Sequence, residues 1–69
     1  MDVISIGGVF VNRDAILMFT DIVALDEAEF NEDGDKCFYA ISIKFVGATF
    51  EFLYRTRSEA SDDLLILIG

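Results

Sequence analysis

The chain has 69 residues, 54% of them hydrophobic, and its 13 Asp and Glu against 5 Lys and Arg give a net charge of −8. A chain this short forms one domain at most, residues 1–69, and buries only about 60% of its unfolded surface, so self-association is the expected source of added stability. The acidic balance argues against direct nucleic-acid binding, which needs Lys and Arg, and the absence of His removes the commonest general base and metal ligand.

Val3–Val11 is β-branched and apolar and is interrupted by Gly7-Gly8, which predicts a strand with a bend or bulge. Asn12-Arg13-Asp14 is turn chemistry. Ala15–Leu25 alternates imperfectly, with Leu17, Phe19, Val23 and Leu25 on one side and Ile16, Met18, Ile22 and Ala24 on the other. It reads as a strand buried on both faces, or one whose second face meets a partner. Asp26–Asp35 reads as a polar connection with Gly34 near its end.

The second half carries the clearest pattern. Cys37, Tyr39, Ile41, Ile43 and Phe45 alternate with Phe38, Ala40, Ser42 and Lys44, a strand with one buried face. After Gly47 the pattern resumes with Phe50, Phe52 and Tyr54, so Cys37–Val46 and Thr49–Thr56 form a hairpin. A type II′ loop at Gly47-Ala48 would set Lys44 opposite Glu51, Phe45 opposite Phe50, Ile43 opposite Phe52 and Ile41 opposite Tyr54. A loop at Val46-Gly47 keeps the same faces but loses the direct Lys44–Glu51 pair; the first is preferred. Ser58 is a good helix N-cap, and Ala60, Leu64, Leu67 and Ile68 form one helical stripe, preferred over a short buried strand at Leu64–Ile68. The fold class expected is α+β: a small antiparallel sheet of about four strands, a β-meander, with a C-terminal helix packed on one face.

No segment reads as a signal peptide or membrane span. The start Met1-Asp2 lacks a basic region, and the longest apolar runs, Ala15–Phe19 and Leu64–Ile68, fall far short of the roughly 20 residues needed. Negative charge also disfavours anionic lipid. Cys37, the only cysteine, cannot form an internal disulfide, which fits a reducing, cytoplasmic setting.

The acids Asp21, Asp26, Glu27, Glu29, Glu32, Asp33 and Asp35 crowd together with no base among them. Aligned as a calcium loop on Gly34, Glu29, Asn31 and Asp33 take the first, third and fifth positions, but Ala40 takes the twelfth, where a bidentate Glu belongs. No metal and no cofactor is therefore expected. Cys37 has no His partner and falls on an inner strand face, so inert packing is expected of it. Gly7-Gly8 lacks the spacing of a phosphate-binding motif. No catalytic residue is expected and the chain reads as a non-enzyme. Two features remain. The acidic segment suits a protein partner with a basic surface, while Phe38 and Leu53 on the hairpin's outer face suit an apolar interface or dimer seam.

Phe10-Val11-Asn12-Arg13-Asp14-Ala15-Ile16, the hairpin over Ile41–Tyr54 and the Ser58-Glu59-Ala60 helix start together resemble the FlbD-like flagellar proteins, small bacterial sheet-plus-helix proteins. The likeness spans most of the chain, with the Asn12–Ile16 turn one residue tighter than in that pattern, and it implies the sheet-plus-helix fold. In size and charge the chain is also similar to phage-encoded inhibitors of bacterial defence, the anti-CRISPR and anti-restriction proteins that imitate nucleic acid. The expectation is a homodimeric, acidic inhibitor whose Asp26, Glu27, Glu29, Phe30, Glu32, Asp33 and Asp35 bind a basic protein. The rival expectation is a housekeeping regulatory or assembly module that binds through an apolar sheet face.

Overall fold

The computed structural model describes residues 2–69. In chain order it contains β1 (Val3–Ile6), β2 (Val9–Asn12), a 3-10 turn (Arg13–Ala15), β3 (Ile16–Phe19), β4 (Val23–Phe30), β5 (Lys36–Phe45), β6 (Ala48–Tyr54) and α1 (Arg57–Ile68). The expected α+β class holds. β5 is the axis of a four-stranded antiparallel sheet, with β6 along one edge and β3 and β4 end to end along the other. The helix packs on this sheet and on β1.

The N-terminal segment is a full hairpin rather than one bent strand. Gly7 and Gly8 both hold positive φ, +59° and +82°, the requirement of a two-residue type I′ loop, and Ile6 then opposes Val9. The hairpin forms its own two-stranded sheet and inserts Ile6, fully buried, among Ile41, Ile43, Tyr54, Ala60 and Leu67. Gly7 lies so close to Phe52 that a Cβ there would stand 2.5 Å from Cδ1 of the ring.

Ala15–Leu25 is likewise two elements. Thr20 interrupts the ladder: its N–H donates to the Ser42 carbonyl at 2.9 Å, and its hydroxyl accepts from the Ser42 N–H at 3.1 Å. The side chain thus stands in for a backbone carbonyl. Asp21 Oδ1 accepts from the Ile22 N–H at 2.7 Å, and the chain re-enters the sheet at Val23. Asp26–Phe30, expected as loop, belong to β4. The loop proper is closed by Asn31, whose Oδ1 accepts from the N–H groups of Asp33 and Asp35 at 3.0 and 2.9 Å.

The β5–β6 hairpin forms with Ile43 buried and Phe52 packed against the core, as expected. Its register is the less favoured one, with Phe45 opposite Ala48, Ile43 opposite Phe50 and Ser42 opposite Glu51. Gly47 has φ +89° while Val46 keeps a negative φ, so the positive-φ residue is the second central one, not the first as type II′ demands. The Val46 N–H also donates to the Ala15 carbonyl at 3.1 Å, fixing the turn to the start of β3.

The C-terminal segment is a helix, and Thr56 caps it rather than Ser58. The Thr56 hydroxyl accepts from the Glu59 N–H at 3.2 Å, and Ser58 lies within the first turn. Ala60 and Leu67 are buried and Leu64 packs against the core, while Ile68 of the same expected stripe is exposed. At the far end Arg13 reaches across from the 3-10 turn, donating to the carbonyls of Ile66 at 2.6 Å and Leu67 at 3.3 Å. It supplies the positive charge that the last turn of the helix lacks. Its Nε sits 3.1 Å from Asp2 Oδ2, an ion pair outside hydrogen-bond geometry.

Candidate binding surface

The acids chosen from the sequence divide among three places. Asp26, Glu27 and Glu29 stand exposed on β4. Glu32 and Asp33 form the exposed tip of the Asn31–Asp35 loop, and Asp35 is partly withdrawn, its carbonyl accepting from the Cys37 thiol at 3.5 Å. Partial burial along β4 recurs every third residue, at Leu25 and Ala28, and the rest of the strand is exposed. The cause is the ladder: from Ala24 opposite Tyr39 to Glu29 opposite Cys37, β4 advances five residues while β5 advances two. The surplus residues of β4, Asp26 and Glu27 among them, thus fall within the irregular part of the ladder. Phe30 closes this strand at 68% exposed.

Beside this surface runs a cleft of about 700 Å³. Gly7, Val9 and Val11 of the first hairpin line one side, Phe45 and the stretch Phe50–Leu53 the other, and Phe30–Asp33 close one end. The structure therefore brings Phe30, Glu32, Asp33 and Leu53 to one place. Phe38 lies elsewhere, in a shallower depression with Ala24, Leu25 and Arg55–Arg57, with the Lys36 ammonium 5.7 Å from its ring centre. Val9, Val11, Phe50 and Glu51 are not among the binding residues expected from the sequence. The signal for Val9 and Val11 was present: Gly-Gly between two apolar runs is itself a hairpin pattern.

Two other groups have unusual surroundings. Burial, and after it the nearby Asp35 carboxylate, raises the Cys37 thiol above its ordinary pKa, which keeps it a thiol and a poor nucleophile. Burial raises the Tyr54 pKa too, and so does its hydrogen bond to Asp63 Oδ2, 2.7 Å long. The same Asp63 oxygen accepts the Gly7 N–H at 2.8 Å, so this carboxylate ties the first hairpin to the helix and to β6. Among the described residues no cluster of three or more His, Cys, Asp or Glu is placed to hold a metal ion. The surface combines exposed carboxylates on the strand that ends in Phe30 with a cleft lined by both apolar and acidic side chains. No protein family, curated protein or solved structure matches this chain.

Proposed function

We propose that the chain is a small acidic, non-enzymatic protein-binding module that occupies a basic, nucleic-acid-binding surface of a protein partner. The observation that carries this reading is Phe30, exposed at the end of a strand whose Asp26, Glu27 and Glu29 are all exposed and which leads into Glu32 and Asp33. Carboxylates held on a strand present fixed charge where phosphates would sit, and an aromatic ring among them adds apolar contact after encounter. An inhibitor of the anti-CRISPR or anti-restriction type, of phage origin and working in the cytoplasm as a homodimer, fits this chemistry. Direct binding to nucleic acid or membrane does not fit the charge of −8, and among the described residues no helix is long and apolar enough to cross a membrane.

The test begins with a pull-down from bacterial lysate that identifies a basic partner by mass spectrometry. Reversing Asp26, Glu27, Glu29 and Glu32 together to Lys should then slow association sharply at low salt and much less at high salt. Single reversals should each change affinity little, since an exposed ion pair contributes about 0–1 kcal/mol. Unchanged binding of the fourfold variant at low ionic strength would reduce the acidic strand to a solvated surface. A second reading, an assembly module of the FlbD-like type binding through an apolar sheet face, is favoured by Leu17 and Met18 exposed on β3 and by Phe38 exposed on β5. It requires association that is insensitive to salt.

A further inference from the structure

We infer that the cleft between β2 and β6 binds an extended, basic segment of the partner as an added β-strand. This rests on the reading above that the partner is basic, and it specifies how that partner docks.

Phe50, Glu51, Phe52 and Leu53 all touch the cleft. Successive residues of a strand point to opposite faces, so a cavity touched by both sets runs along the strand's edge. Among the described residues β6 pairs only with β5 and β2 only with β1, and neither makes backbone hydrogen bonds elsewhere. The cleft is thus bordered by the free edge of β6, whose outward-pointing N–H and C=O groups a further strand can satisfy, while Val9 and Val11, alternate residues of β2, turn one face of that strand toward it.

The side chains select the occupant. Val9, 48% exposed, and Phe50, 55% exposed, offer apolar contact that the core leaves uncovered. Glu51, Glu32 and Asp33 stand on the same cleft, and among the described residues no Lys or Arg lines it. A strand whose apolar residues alternate with Lys or Arg meets both requirements, apolar side chains inward and cations toward the carboxylates. A second copy of the chain docking cleft to cleft would set the same Glu32, Asp33 and Glu51 carboxylates against one another, which disfavours it as the occupant of this site.

The test follows amide hydrogen exchange of the full chain by NMR as short synthetic peptides are added. One peptide alternates valine with lysine, a second has the same charge but is interrupted by proline, and a third alternates valine with glutamate. The valine–lysine peptide should slow exchange in Phe50–Leu53 and should bind at least about tenfold more tightly than the proline-interrupted one, which cannot complete the ladder. Glu51→Lys should weaken it, and the glutamate peptide should not bind. Equal binding of the two lysine peptides overturns strand addition and leaves the basic-partner reading intact. No binding by either overturns the site, and the fourfold charge reversal then decides the partner's charge separately. Slowed exchange of the same amides on concentrating the protein alone would assign the cleft to a second copy and overturn the inference.

Discussion

Asp63 is the residue through which distant parts of the chain meet, since one of its oxygens accepts both the Tyr54 hydroxyl and the Gly7 N–H. The Tyr54 phenol is buried and donates to a carboxylate, so the folded state holds its proton more firmly than the unfolded chain does, where the ordinary value is 10.0. A folded pKa above the unfolded one gives a contribution that is intact below about pH 10 and is lost as pH rises beyond it. Stability measured by urea denaturation should therefore be insensitive to this group through neutral pH and fall at alkaline pH. Tyr54→Phe should remove much of that alkaline loss while lowering stability at pH 7 by about 1–2 kcal/mol, the cost of leaving Asp63 one donor short.

The helix shows how much one hydroxyl decides. Thr56→Ala should destabilise the protein by about 0.5–2 kcal/mol in thermal or urea unfolding, whereas Ser58→Ala, inside the first turn, should change it by a few tenths at most. The helix itself was legible because Ala60, Leu64 and Leu67 recur with helical spacing; its start was displaced because Thr56 and Ser58 are both good caps and two residues apart. β5 was legible from its long alternation. The hairpin register was not, because both loops leave the same side chains inward, and the choice fell to the Gly47 backbone and to a hydrogen bond from Val46 to Ala15, far away in sequence. β4 was invisible for a physical reason: its bulged ladder exposes two residues of every three, and a polar run with that period looks like a loop. The exposure of the acids and of Phe30 was anticipated by the crowding of charge along that stretch of sequence. The cleft beside them was not, because it depends on a hairpin and a strand edge that meet only in three dimensions.

At the scale of the whole molecule the apolar surface is the dominant fact. Phe10 is 82% exposed, and Leu17, Met18, Val46, Leu65 and Ile68 are each more than half exposed, so one small core does not accommodate the hydrophobic content of the chain. Sedimentation velocity should show a mass that rises with concentration toward a dimer. A 7.7 kDa species persisting at high micromolar concentration would exclude self-association as the use of these side chains. Added salt should weaken the proposed acidic contacts while leaving such a dimer in place, which separates the two surfaces in one experiment.

The clasp between the first hairpin and the last helix also sets an order of assembly. Gly7 and Asp63 are 56 positions apart, and Arg13 and Leu67 are 54 apart. Ile6 has its place among residues of β5, β6 and α1, so the first hairpin has no surface to dock on until the last elements exist. The β5–β6 hairpin, closed by a two-residue turn, carries the low loop-closure cost and is the natural nucleus. Ile43→Val should accordingly slow refolding, whereas Ile6→Val should leave refolding nearly unchanged and speed unfolding. The first hairpin in chain order is thus expected to dock last.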